Sequence, residues 1–219
     1  MIKLSPSTIG LFQECPRCFW LQFNKNVHRP RGIFPSLPGG MDSVIKKYYD
    51  IYREKKELPP ELVGKVKGKL LDDPLLKAWR SNWEGIKYID KKLNAQVKGI
   101  LDDCFVDSGT YIPLDYKTRG YELKENTSSY YQHQLDIYCY LLSKNGYKTA
   151  DYAYLVYYYP RTVKENGVVE FEVVPKKMKT SIKNAEKLIS KAVKCLKDPE
   201  PKQHSECEYC TWGIESFGD

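Results

Sequence analysis

The chain of 219 residues is expected to fold as one α/β domain, a central mixed sheet flanked by helices, and three observations lead there. Between residues 86 and 175, short apolar runs alternate with turn signals, which is strand patterning. On either side, apolar residues recur at i, i+3 and i+4, the period of a helix with one buried face. Strands and helices interleave along the chain instead of segregating. The length suits one domain, 1–219, with a sizeable core. It divides into a helical part over 1–85, a sheet core over 86–175, and a helix with a cysteine pair over 176–219.

Ser5 and Ser7 can each cap a helix through Ile9, Leu11 and Phe12 that leads to Cys15 and Cys18. His28 to Gly40 is rich in Pro and Gly and reads as loop. Asp42 to Arg53 reads as a helix with Val44, Ile45, Tyr48, Tyr49 and Tyr52 along one side, stopped by Leu58-Pro59-Pro60. Residues 61–83 are basic and ambiguous. Within them, Gly64-Lys65-Val66-Lys67-Gly68-Lys69-Leu70 has the wrong spacing for a phosphate loop and lacks its Ser or Thr, so ATPase or helicase activity is not expected. Ile86 to Ile89, Ala95 to Val106 and Tyr111 to Tyr116 read as strands, with Asp107-Ser108-Gly109-Thr110 as the turn between the last two. Ser128 to Leu142 places Tyr131, Gln134, Leu135, Tyr138 and Leu142 at helical spacing, and Gly146 closes that helix. Tyr152 to Tyr159 and Val168 to Val174 are strands joined at Lys164-Glu165-Asn166-Gly167. Met178 to Leu196 is a basic helix.

The formal net charge of +7 suits a polyanionic partner such as nucleic acid. The 18 tyrosines offer rings that stack on bases, although strand building, as in Tyr152 to Tyr159, is the better explanation for any one of them. No apolar run has the length of a membrane span, and Met1 to Pro6 lacks the apolar stretch of a secretory signal; the expected location is cytoplasmic. Seven cysteines is an odd count, which argues against a disulfide framework. Cys104, Cys139 and Cys195 lie in apolar patterns and read as buried, inert thiols. The pairs Cys15 with Cys18, and Cys207 with Cys210, have metal-ligand spacing and suit zinc or an iron–sulfur cluster.

The chemistry concentrates in three segments: Gly99-Ile100-Leu101-Asp102, Pro113-Leu114-Asp115-Tyr116-Lys117-Thr118, and Gln134 with Tyr138. Asp102 ends an apolar run, where a carboxylate needs a cation or hydrogen-bond donors; Asp103 should face the other way. Asp115 and Lys117 share one face of a strand, with Tyr116 on the other. Two carboxylates suit a hard divalent cation. A cation with an ammonium beside it is the equipment for phosphodiester cleavage. Gln134 and Tyr138 lie one helical turn apart and can reach the same place; otherwise Tyr138 is a core aromatic and Gln134 is solvated.

In this order the segments resemble the active site of the PD-(D/E)XK nuclease superfamily, and within it the RecB-like and CRISPR-associated RecB-like exonucleases. That group shows G-x-x-D, then D/E-x-K, then a helix with Q-x-x-x-Y. Leu4-Ser5-Pro6-Ser7-Thr8 through Phe12 to Leu21 is similar to its opening helix. The resemblance implies a restriction-endonuclease-like core and Mg²⁺ or Mn²⁺ held by Asp102 and Asp115, with the Tyr116 carbonyl completing the coordination. It implies catalytic assistance from Lys117, and Gln134 and Tyr138 near the scissile strand. The implied activity is a deoxyribonuclease, an exonuclease on single-stranded or unwound DNA ends, with helicase or CRISPR-adaptation proteins as partners. The alternative is a nucleic-acid-binding subunit whose cleavage is vestigial or partner-dependent. A cluster of Cys15, Cys18, Cys207 and Cys210, [4Fe–4S] with zinc as the alternative, would join the two ends of the chain. Two departures stand out. The group's early helical histidine is missing, leaving Asp42 as either a substitute ligand or a helix cap. The cysteines split two and two instead of one and three.

Overall fold

The computed structural model describes residues 1–30, 32, 36–124 and 127–211; part of the loop expected over His28 to Gly40 lies outside them. The architecture is α/β, compatible with the restriction-endonuclease-like core expected. It opens with β1 (Ile2–Leu4), α1 (Pro6–Glu14) and α2 (Pro16–Asn24). Ser5 caps α1 reciprocally with Thr8. Cys15, in extended conformation, separates the two helices, and Pro16 occupies the first turn of α2, where its missing N–H costs nothing.

Helix α3 (Ser36–Lys55) begins earlier than the sequence suggests: Pro38 lies in its first turn, where proline is tolerated. The ambiguous stretch after it holds β2 (Lys69–Leu70) and the short α4 (Leu75–Trp79). Next come β3 (Ile86–Asp90), β4 (Ala95–Gly99), β5 (Asp103–Asp107) and β6 (Thr110–Thr118). The single strand expected from Ala95 to Val106 is therefore two. Ile100 to Asp102 carry the chain from a three-stranded sheet, β1-β4-β3, into a five-stranded one, and Leu101 is buried in the core as it passes. The β5–β6 turn is as expected, with Ser108 and Gly109 at φ 48° and 76°.

Helix α5 (Gln132–Lys144) follows a 3₁₀ turn at Ser129–Tyr131. β7 (Tyr152–Val163) and β8 (Val169–Lys179) form a long hairpin, and α6 (Ile182–Lys197) packs on α5. Met178, expected in the last helix, lies next to the end of β8 instead; the Ser181 side chain caps α6 by accepting from the Asn184 amide. Pro175 sits in β8, an edge strand, the place a sheet tolerates it.

The larger sheet has the order β2-β5-β6-β7-β8, antiparallel except for the parallel pair β6–β7. Its two faces bury alternate residues, as strand geometry requires. Ile112, Leu114, Tyr116, Tyr154, Val156 and Tyr158 pack with Ile45 and Tyr49 of α3. Leu155 and Tyr157 join Leu135 and Leu141 of α5, Ile189 of α6 and Ile9 of α1 on the other side. Many tyrosines are thus core residues. Among the described residues no helix is long and apolar enough to cross a membrane.

Candidate active site and cysteine centre

The site forms where the chain passes between the sheets. Gly99 ends β4 under α5: a Cβ there would stand 2.7 Å from Leu141 Cδ1 and 3.2 Å from two Tyr138 ring carbons. The next turn is held by backbone. The Leu101 amide donates to the Trp79 carbonyl at 3.1 Å, and Arg80 Nε donates to the Asp102 carbonyl at 2.7 Å. The antiparallel register pairs Asp103 with Leu114, so it sets Asp102 opposite Asp115. Asp102 Oδ2 accepts the Tyr116 amide at 3.1 Å.

Asp115 is buried, 1% exposed, on the face of β6 turned toward α5. Its Oδ1 accepts Gln134 Nε2 at 2.8 Å. The Lys117 ammonium forms an ion pair with Oδ2. Burial, and then the nearby Asp102 charge, push the Asp115 carboxyl up to about 7, with Lys117 pulling the other way. For Lys117, burial opposes the charge, but Asp115 and Asp102 outweigh it and raise the pKa. Lys117 Nζ also donates to Gln134 Oε1 at 3.2 Å and lies 4.5 Å from the Tyr131 ring centroid. Tyr138 is buried; its hydroxyl accepts from Gln134 Nε2 at 2.7 Å and donates to the Ile100 carbonyl at 2.6 Å. A buried carboxylate facing a second carboxylate is costly even beside one ammonium. A hard cation is the partner that paired carboxylates accept, so these residues fit a divalent ion.

Asp102, Asp115, Lys117, Gln134 and Tyr138 are brought to one place. Tyr116 meets it through its amide, while its hydroxyl points across the sheet to Asp103. Asp42 approaches through an intermediary absent from the sequence reading: Lys46 Nζ lies 2.8 Å from both Asp42 Oδ2 and Asp102 Oδ1. The i, i+4 spacing of Asp42 and Lys46 was the available signal, and on its own it reads as a surface pair. Asp103 does face the other way. Its Oδ2 accepts from Arg53 Nη2, Arg80 Nη2 and the Tyr116 hydroxyl, each at 2.7 Å. Arg53 and Arg80 were also missed, although adjacent aspartates on a strand require that the inner one be neutralised.

The cysteine pairs meet at the joined ends of the chain. Cys15 Sγ is 3.6 Å from Cys210 Sγ, Cys18 Sγ is 3.6 Å from Cys207 Sγ, and the four sulfurs all lie within 4.8 Å of one another. Cys15 Sγ accepts the Cys18 amide at 3.4 Å, and Arg29 Nη2 donates to Cys207 Sγ at 3.5 Å while its guanidinium covers the Tyr209 ring at 4.6 Å. Burial works against a Cys207 thiolate, yet the Cys210 amide and the neighbouring sulfurs bring its pKa down to about 7. All four sulfur residues are buried and could hold a metal. Around them Arg17 pairs with Glu200 at 2.8 Å and Trp20 Nε1 donates to the Asp198 carbonyl at 3.0 Å.

A family model described as the PD-(D/E)XK nuclease superfamily matches residues 52–213, the greater part of the chain. No curated protein matches it.

Proposed function

The chain belongs to the PD-(D/E)XK nuclease superfamily, and from that premise we propose that it is a deoxyribonuclease acting on single-stranded or unwound DNA ends with Mg²⁺ or Mn²⁺. The observation that carries the reading is the pairing of Asp102 with a buried Asp115, whose carboxyl is pushed up by burial and by the Asp102 charge, beside the Lys117 ammonium. Asp102 and Asp115 would hold the ion. When bound, it supplies a Lewis acid for the phosphoryl oxygen and a nucleophilic water at neutral pH. Lys117 offsets the negative charge that develops on the phosphoryl group. Gln134 orients both ends of that pair, accepting from Lys117 and donating to Asp115, and Tyr138 fixes Gln134 in turn. This makes Gln134 and Tyr138 positioning residues; the burial of Tyr138 favours that over contact with the strand. The net charge of +7 supports a nucleic-acid substrate.

For the cysteines, the sulfur separations support one tetrahedral ion. Zinc–sulfur bonds of about 2.3 Å set tetrahedral sulfurs about 3.8 Å apart, close to the 3.6 Å found twice here. A [4Fe–4S] cluster binds each sulfur outside its own iron and needs a wider cage. We therefore read the centre as structural zinc.

The test is cleavage of end-labelled single- and double-stranded DNA with Mn²⁺. Activity is expected on single strands and should vanish in Asp115→Ala and Lys117→Ala. Undiminished cutting by those variants would refute the assignment.

A further inference from the structure

We propose that Lys46 competes with the catalytic cation for Asp102 and, once displaced, contacts a phosphate of the bound strand; this rests on the metal site put forward above. The Tyr116 amide takes Asp102 Oδ2, and Lys46 takes Oδ1. The ammonium thus holds the Asp102 oxygen that the backbone amide leaves open. The same ammonium is 2.8 Å from Asp42 Oδ2, so it bridges two carboxylates as a divalent ion would.

An ion entering between Asp102 and Asp115 carries the same sign as Lys46 and repels it. The lysine stem has four rotatable carbons and three donors at its end, so leaving Asp102 requires only rotamer changes. Asp42, one turn earlier on α3, keeps it at the rim. Lys46 is 20% exposed and Asp42 42%, which places the pair at the boundary where a strand would arrive. There an ammonium released from a carboxylate finds phosphate as its next partner. Lys46 lies outside the residues that the family match covers. An ordinary ion pair at this spacing would contribute little and would leave metal affinity alone.

Two measurements separate these roles. In calorimetric Mn²⁺ titrations without DNA, Lys46→Met and Lys46→Gln are expected to tighten binding about fivefold, since a competitor is gone. Lys46→Arg, which keeps the charge, should stay near wild type. Binding of a labelled single strand is then followed against salt, with Mn²⁺, in the Lys117→Ala background. There Lys46→Met should make the salt slope shallower by about 0.7, the value of one single-strand phosphate contact. Unchanged or weaker Mn²⁺ affinity in both neutral variants would overturn the proposal. If the wild-type protein binds no Mn²⁺, the metal site itself fails and takes this inference with it. If wild type binds Mn²⁺ and Asp102→Asn abolishes that binding while Lys46→Met changes nothing, this inference alone is lost.

Discussion

Gly99 and Tyr138 meet where only a hydrogen fits: a Cβ on Gly99 would stand 3.2 Å from two carbons of the Tyr138 ring. The glycine of the G-x-x-D segment is therefore a packing requirement of the site. It lets α5 come close enough for the Tyr138 hydroxyl to bond the Ile100 carbonyl at 2.6 Å and for Gln134 to reach Asp115 at 2.8 Å. Gly99→Ala should cost about 1–3 kcal/mol through overpacking, lowering the melting temperature by roughly 2–4 °C for each kcal/mol. Cleavage at a permissive temperature should fall further than stability does, because α5 carries Gln134. A variant with wild-type melting and wild-type rate would show that the close approach is not needed.

The raised Asp115 carboxyl makes the metal-free protein sensitive to pH. Its pKa moves from 3.8 to about 7 on folding, so the folded state holds the proton more tightly than the unfolded one. Stability from this group is full below about 4 and is lost as pH rises through about 7. Asp115→Asn has no such titration. In melts with chelator, the variant should gain on wild type steadily between those limits and keep a constant lead above them. Mn²⁺ should then stabilise wild type and leave Asp115→Asn unmoved. A stability difference that stays flat with pH would contradict the burial argument.

Much of this site was legible in the sequence because its spacing is periodic. Asp115 and Lys117 two apart on a strand, and Gln134 and Tyr138 four apart on a helix, share faces whatever surrounds them. What failed to read was whatever depends on distant partners. Ile100-Leu101 is apolar, and an apolar pair suits a continuing strand as well as a buried crossing between sheets; the choice is made by Trp79, whose carbonyl receives the Leu101 amide. Met178 fits the apolar face of a helix, but pairing with Ala153 holds it in β8. Lys46 reads as surface until Asp102, far along the chain, is brought against it.

Adjacent aspartates should fail in opposite ways. Asp103 is fully buried and neutralised by Arg53, Arg80 and the Tyr116 hydroxyl. Asp103→Ala leaves Arg53 and Arg80 with Asp50 as their remaining carboxylate partner and should destabilise the fold by about 1.5–3 kcal/mol, with Mn²⁺ binding retained at low temperature by whatever remains folded. Asp102→Asn should leave urea denaturation nearly unchanged and lose Mn²⁺ binding. Equal losses of stability in the two variants would mean that the two carboxylates do not face different surroundings.

The cysteine centre should contribute to the joining of the chain ends more than to the catalytic core. Its sulfur residues form their own small cluster, with Leu11 packed against it, whereas β6 and α5 are held by the two larger cores. Metal analysis of protein purified without air is expected to give one zinc per chain and a colourless solution; four irons and a brown colour would reverse that identity. Removing the ion, by chelation or by Cys18→Ser, frees residues 207–211, while α2 stays anchored by Phe19 in the larger core and by the Asn24 side chain on the Leu196 carbonyl. Hydrogen exchange should therefore quicken at residues 207–211 while the amides of α2 and β6 stay protected. Loss of protection spread evenly over the sheet would mean that the centre is part of the core's own cooperative unit.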